Sequence, residues 1–177
     1  MRSARLSPDA WLDAGLAALQ AQGPKALAAE PLARALGTTK GSFYWHFKDV
    51  RSFQTALLSR WQQDTMRNLS QLRASEERAD RRLRHFGHRL LSDPIEARLR
   101  VWAQDDVVVA AALAEVDAAR RDHLTKLLES VGLGNPDFAH ALLAALIGLP
   151  YLHPGDTSAQ SATFDTLIDT ILDLSRY

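Results

Sequence analysis

Between Leu27 and Lys48 the chain reads LAAEPLARALGTTKGSFYWHFK, two short helical patterns parted by a glycine, and no other stretch restricts the fold as tightly. Leu27, Leu32, Ala33 and Leu36 fall on one helical face; Gly37 supplies the sharp exit that a side chain would hinder, and Thr39 can cap a second helix. That is a helix-turn-helix. In its second helix Phe43 and Phe47 stand four apart, a spacing that lets both pack inward against Leu32 and Leu36. Lys40, Ser42, Tyr44, Trp45 and His46 are then left on or near the other side. Such a face offers a cation and hydroxyls for phosphate oxygens, donors and apolar surface for base edges, and at Gly41 room for a close backbone approach. The same periodicity also fits a small helical hairpin whose aromatics are only core.

The run LARALGTTKGSFYWHFKD resembles the signature of the TetR family of bacterial transcriptional regulators in its order of glycine, aromatic, histidine and phenylalanine. The likeness covers about the first third of the chain; the remainder resembles the family only in being helical, of suitable length and built for a bundle. The resemblance implies that Thr39, Lys40, Tyr44, His46 and Lys48 hold phosphates of a double-stranded DNA operator. It further implies that Thr38, Lys40, Ser42 and Trp45 touch bases. Two positions depart from the pattern. Ala28 stands where the family usually has a capping threonine, and Val50 where it usually has a lysine, so two phosphate contacts are missing.

A chain of 177 residues suits one or two small domains with room for a core, and its formal net charge is zero. The charge is unevenly spread. Residues 1–100 hold 17 basic against 10 acidic side chains, a balance of +7, and residues 101–177 hold 4 against 11, a balance of −7. A basic front and an acidic back orient a molecule on a polyanion. The absence of cysteine removes disulfides, thiolate metal sites and a cysteine nucleophile, and fits a reducing cytoplasm. The opening MRSARLSPDAW lacks the apolar core of a signal peptide, and the longest apolar run, Ala139 to Leu152, falls short of the ~20 residues that span a bilayer. A cytoplasmic protein with no membrane contact is expected.

The rest of the sequence reads as helices, giving an all-α fold of about nine: a three-helix DNA-binding head, residues 1–50, and a C-terminal bundle, residues 51–177. Ser7, Pro8 and Asp9 start the first helix, Trp11, Leu12, Leu16 and Leu19 form its inward stripe, and Gly23 with Pro24 ends it. Asp49 can cap a fourth helix running to about Leu72, with no flexible linker between head and bundle. A fifth, Ser75 to Ser92, carries Glu77 with Arg81 and Asp80 with Arg84 at pairing distance in sequence. Its His85 and His88 are spaced for a metal but have no third ligand nearby, so no metal or other cofactor is expected. Asp93 and Pro94 open a sixth helix and Asp105 with Asp106 a seventh, in which Asp117 and Arg121 can pair. RVWAQDD and the alanine-rich helix after it resemble, more faintly, the ligand-binding part of some TetR-like proteins.

The eighth helix, Asp137 to Gly148, is apolar almost all round, and the ninth, Ser158 to Ser175, has a regular apolar stripe with Asp165, Asp169 and Asp173 turned to water. Pairing Phe138, Leu142, Leu146, Phe164, Leu167, Ile168 and Ile171 with their copies in a second chain would make a four-helix interface, the homodimer the resemblance implies. The alternative is that both helices complete a core within one chain. The resemblance also implies a repressor released from a palindromic operator by a small molecule. Trp61, Leu83, Phe86, Leu90, Trp102, Leu113 and Leu143 are expected to line its site, which makes the effector mainly apolar. Two other function classes are possible for a helical chain. An enzyme finds no nucleophile and base at motif spacing, no glycine loop for phosphates, and no carboxylate cluster beyond the helix-starting Asp105 and Asp106. A helical interaction module that has lost DNA binding accommodates Ala28 and Val50.

Overall fold

A computed structural model describes residues 6–174. Among the described residues there are no strands, and the helices are α1 (Pro8–Gln22), a 3-10 turn (Pro24–Ala26), α2 (Ala29–Ala35), α3 (Lys40–Tyr44), α4 (Val50–Arg73), α5 (Ala79–Leu91), α6 (Glu96–Trp102), α7 (Val107–Glu129), α8 (Pro136–Leu152) and α9 (Thr157–Leu174). The all-α architecture expected from the sequence is present. None of these helices is long and apolar enough to cross a membrane.

The chain forms two compact units. The first runs to Asp64 and takes in Ala97–Ala112; the second holds Thr65–Glu96 and the chain from Leu113 onward. The expected head, residues 1–50, lies within the first unit, and the division falls inside α4, between Asp64 and Thr65.

In the first unit α1 begins as its residues dictate. Ser7 Oγ accepts from the Ala10 amide at 3.2 Å, Pro8 and Asp9 follow in the first turn, and Gly23 at φ 81° closes the helix by donating to the Leu19 carbonyl. Trp11, Leu12 and Leu19 are buried, while Leu16 stays half-buried. Arg60 ties α4 to α1 through Asp9 at 3.0 Å. The start of α4 is a reciprocal cap: Asp49 Oδ1 accepts from the Ser52 amide at 2.7 Å while the Asp49 amide donates to Ser52 Oγ at 3.1 Å. Those bonds hold the Asp49 carboxyl below the usual carboxylate range. Arg51, the second residue of α4, grips both carboxylate oxygens of Asp106. Asp106 in turn caps α7 by accepting from the Val108 and Val109 amides at 3.0 and 3.3 Å. Its pKa is drawn down to about 2, first by Arg51.

In the second unit the core is built from Leu69 and Leu72 of α4, Leu83, Phe86, Leu90 and Leu91 of α5, Leu124, Leu127 and Leu128 of α7, and the inner faces of α8 and α9. α5 and α9 pack tightly against each other. A Cβ added at Gly87 would sit 2.0 Å from Phe164 Cε1, so glycine is required where the buried Phe164 ring lies against the α5 backbone. Beside it, Arg84 bonds Asp165 at 3.1 Å and also meets Asp169, and His88 Nε2 lies 2.9 Å from Asp165 Oδ1. Two of the three aspartates expected to face water therefore dock α9 on α5. Arg84 reaches across the helices to do so, where pairing along α5 with Asp80 was expected. Asp117 likewise meets Arg120 at 3.1 Å, three residues on, where Arg121 was expected.

Helix boundaries shift for local reasons. Ser75 Oγ accepts from the Glu77 amide at 3.3 Å and Asp93 Oδ1 from the Ile95 amide at 2.9 Å, turns that delay α5 to Ala79 and α6 to Glu96. At its other end α8 passes the expected stop at Gly148 and continues to Leu152 with Pro150 inside it. Leu149 is buried, which anchors that last turn in the core. The end expected for α9, Ser175, lies outside the described residues.

His123 of α7 is 2 % exposed, its ring 5.4 Å from that of Phe86, and its Nε2 has no hydrogen-bond partner. Burial, assisted by Arg73 and Arg82, lowers its pKa to about 4. The unfolded chain, with histidine near its ordinary value, binds a proton that the folded chain refuses. Stability is whole above about pH 6.5 and falls as pH drops towards 4, by ~3 kcal/mol over that range. Urea unfolding at pH 7 and pH 4.5 is expected to show most of this loss, and His123→Phe to remove it; equal losses in both proteins would contradict the assignment.

Candidate nucleic-acid interface and ligand cavity

α3 is held from beneath by aromatic rings. Phe43 is wholly buried, with Trp11 at 5.4 Å and Tyr44, Phe47 and Phe53 each at 5.3 Å between ring centroids. The inward packing of Phe43 and Phe47 was legible from their spacing. Their ring partners Trp11 and Phe53 were not, because they come from helices that flank the motif on either side. Gly37 adopts φ 62°, a left-handed conformation costly for other residues, and the Thr38 amide bonds back to the Ala33 carbonyl at 2.9 Å. The chain then re-enters a helix at Thr39, whose backbone is extended but whose side chain makes no capping bond. Ala28 opens α2 with no side-chain cap either.

Over this aromatic base the candidate DNA contacts lie outward to differing degrees. Thr39, Lys40, Gly41, Tyr44, Trp45 and Lys48 are exposed, whereas Thr38, Ser42 and His46 are half-buried. Trp45, at 77 % exposed, is the most exposed aromatic side chain among the described residues. Apolar area of that size in water is unfavourable until something covers it. Lys40 Nζ sits 6.0 Å from the centre of the Tyr44 ring, placing cation and phenol together on the outer face.

Gly41 is informative by contrast with Gly87. A Cβ at Gly41 would meet only Thr39 Oγ1, at an unstrained 3.7 Å, and the backbone is not left-handed, so nothing in the chain itself demands glycine there. Gly41→Ala is expected to leave the melting temperature unchanged or raise it, since alanine favours helix by up to ~1 kcal/mol. It is also expected to weaken DNA binding about tenfold, because the added methyl faces outward. Melting curves and a gel-shift titration check both halves, and unchanged binding would remove Gly41 from the interface.

Residues 12–50 match the profile of the bacterial regulatory proteins of the tetR family. A TetR transcriptional regulator from Legionella pneumophila superposes with a TM-score of 0.76 at 17 % identity, covering 99 % of each chain. The fold is that of TetR-family transcriptional regulators. The reduced form of E. coli NemR gives a TM-score of 0.76 at 17 % identity over 93 % of this chain and 96 % of its own. SmeT, the repressor of the Stenotrophomonas maltophilia multidrug efflux pump SmeDEF, gives 0.65 at 19 % identity over 92 % and 88 %. No curated protein sequence matches the chain.

Within this TetR-family fold the second unit holds a cavity of about 60 Å³, lined by Thr65, Asn68, Leu69, Leu72, Phe86, Arg89, Leu90, Asp93 and Arg120. Of the seven residues expected at the ligand, Phe86 and Leu90 line it. Leu83, Leu113 and Leu143 are packed away at 0 to 4 % exposed, and Trp61 and Trp102 are buried in the first unit. The lining is also more polar than a mainly apolar effector requires. Leucine spacing marks a buried face and cannot say which buried positions border a void; Asp93 was expected only to open a helix, and nothing in the local sequence of Arg89 or Arg120 sets them apart.

The seven residues expected at the dimer interface divide similarly. Leu142, Leu146, Phe164, Ile168 and Ile171 are at most 5 % exposed within the single chain, so they are its core and have little surface to offer a partner. Phe138 and Leu167 are half-buried and keep some. Tyr151 and Leu152 at the end of α8 and Leu174 at the end of α9 are large apolar residues left exposed.

Proposed function

We propose that this chain is a DNA-binding transcriptional regulator, a repressor that acts as a homodimer and leaves a palindromic operator when a small molecule occupies its second unit. The observation that carries the reading is the outer face of α3 and the turn after it. Lys40 and Tyr44 stand exposed on a helix whose other side is pinned by Phe43, and Trp45 and Lys48 stand exposed in the turn that follows it. The likeness to SmeT supports repression. In a C2 dimer, two such helices set roughly 34–36 Å apart read successive major grooves. Phe138, Leu167, Tyr151 and Leu152 are the proposed apolar contacts between copies.

Release requires that the small molecule bind one spacing of the heads better than the other, and a coupling of ~1–3 kcal/mol changes occupancy about 5- to 150-fold. α4 is the element suited to carry it, because one continuous helix lines the cavity at Thr65 to Leu72 and begins at Val50, just after the DNA-facing residues. No catalytic residue is assigned.

Lys40→Ala and Lys48→Ala are each expected to weaken binding about equally on specific and random duplexes and to reduce the salt slope by about one. Trp45→Ala and Ser42→Ala are expected to change sequence preference, by ~1–3 kcal/mol where either reads a base. Anisotropy titrations across a salt series separate the two classes, and identical behaviour of all four would contradict the division into positioning and reading. The uncapped Ala28 and the missing lysine at Val50 favour one second reading, an interaction module without DNA affinity. A gel shift in low salt decides between them.

A further inference from the structure

The cavity has one oily wall and one polar wall. Leu69, Leu72, Phe86 and Leu90 form the first; Thr65, Asn68, Arg89, Asp93 and Arg120 form the second. Arg120 is 3 % exposed, and its donors are partly committed: Nη1 donates to Glu96 at 2.8 Å and Asp117 at 3.1 Å, and Nη2 to Glu96 at 3.0 Å. A guanidinium carries five N–H groups, so Nε–H and one hydrogen of Nη2 remain. Arg89 is exposed and makes no hydrogen bond or ion pair with the described residues.

We infer that this cavity receives the head of a short amphipathic monocarboxylate, its carboxylate bound by Arg89 and the spare N–H groups of Arg120 and its apolar body laid against Phe86 and Leu90. The inference rests on the proposed regulator and names the chemical class of its effector. Arginine presents paired donors in a plane that fits a carboxylate, which a hydroxyl or amide answers less well. Glu96 and Asp117 already balance Arg120, so Arg89, which pairs with none of the described residues, is the charge that favours an anion over a cation. A purely apolar molecule would strip water from Arg120 and Asn68 and return no hydrogen bond. Asp93 is the one lining group that opposes an anion. Burial, with Glu96 nearby, raises its pKa, and its Oδ1 already accepts from the Ile95 amide at 2.9 Å, which partly offsets its charge. At about 60 Å³ the cavity accommodates a head group, far below the roughly 300 Å³ of a small-molecule site, so a longer body has to part α5 from α4. Binding would therefore act on the helix that leads to the DNA-facing residues.

The test is calorimetry of the full chain, in low salt, with phenylacetate, hexanoate, phenylacetamide and phenethylammonium as probes. One of the two carboxylates is expected to bind at least about tenfold more tightly than the amide and the ammonium. Arg89→Gln, at an exposed site with no partner among the described residues, is expected to fold as the parent does and to weaken the carboxylate about tenfold while leaving the amide unchanged. Asp93→Asn, checked for folding by circular dichroism, is expected to bind the carboxylate as tightly or more so. Stronger binding of the ammonium, no binding of either carboxylate, an unaffected Arg89→Gln, or loss of the carboxylate in folded Asp93→Asn would each overturn the inference. A parallel gel shift on genomic fragments keeps the two readings apart. A chain that shifts DNA but ignores both carboxylates overturns the effector class alone. One that binds phenylacetate through Arg89 but shifts no fragment overturns the regulator and leaves the site.

Discussion

Phe43→Ala is expected to cost about 3–5 kcal/mol, the upper range for emptying a buried aromatic site, and to abolish any DNA binding with it. The ring is 0 % exposed and touches Trp11, Tyr44, Phe47 and Phe53, so its removal leaves a hole bordered by stiff groups that cannot close on it. α3 is only five residues long, and a helix of that length has no stability of its own; its position depends on this one anchor. Phe43→Leu keeps most of the volume and is expected to cost less than half as much. Trp45→Ala, two residues on but 77 % exposed, is expected to stay within about 0.5 kcal/mol of the parent while impairing binding. Denaturant unfolding of the three variants separates the residue that holds the helix from the residue that the helix displays. A loss below ~1 kcal/mol for Phe43→Ala would contradict the packing described.

Arg120→Ala is expected to be as damaging for a different reason. Its side chain is 4 % exposed and bonds Glu96 through both carboxylate oxygens and Asp117 through one. Truncation takes from two buried or nearly buried carboxylates a partner that cannot be replaced by water without cost, about 3–5 kcal/mol for a pair of this kind. Because most of that cost is the carboxylate left behind, replacing both members is expected to be much milder: Arg120→Met with Glu96→Leu should recover at least half of the loss. Equal destabilisation of the single and double variants would mean that Arg120 acts through packing of its stem and not through its charge.

How much of this could be read from residues follows from the range over which each signal acts. The head was legible because its determinants are local. Gly37, Thr39, the Phe43 and Phe47 spacing and the Asp49 cap all act within four residues of themselves, and the structure has the turn and the starts of α3 and α4 where they put them, although α3 ends at Tyr44, short of the Phe47 it was expected to include. Thr39 is the partial exception, since it starts α3 by backbone geometry and not by its hydroxyl. Long-range chemistry was not legible. Nothing near Arg84 announces Asp165, which is 81 positions away, and nothing near Gly87 announces Phe164. Charges spaced for pairing along α5 found better partners across it. The apolar stripes of α8 and α9 were read correctly as buried faces, but burial has the same periodicity whether the cover is the same chain or another copy. Leu142, Phe164 and Ile168 turned out to be covered from within. The cavity was the least accessible of all, because it is defined by the atoms that fail to meet.

The most direct measurement of the central claim, that the face carrying Lys40, Tyr44 and Trp45 binds duplex DNA, is a gel shift of the full chain against genomic fragments in low salt with no small molecule added. At least one fragment is expected to be retained, and that retention is expected to disappear when Lys40, Tyr44 and His46 are replaced together while the circular dichroism stays that of the parent. Absence of a shift on every fragment, or a shift that survives the triple replacement in a folded chain, would contradict it.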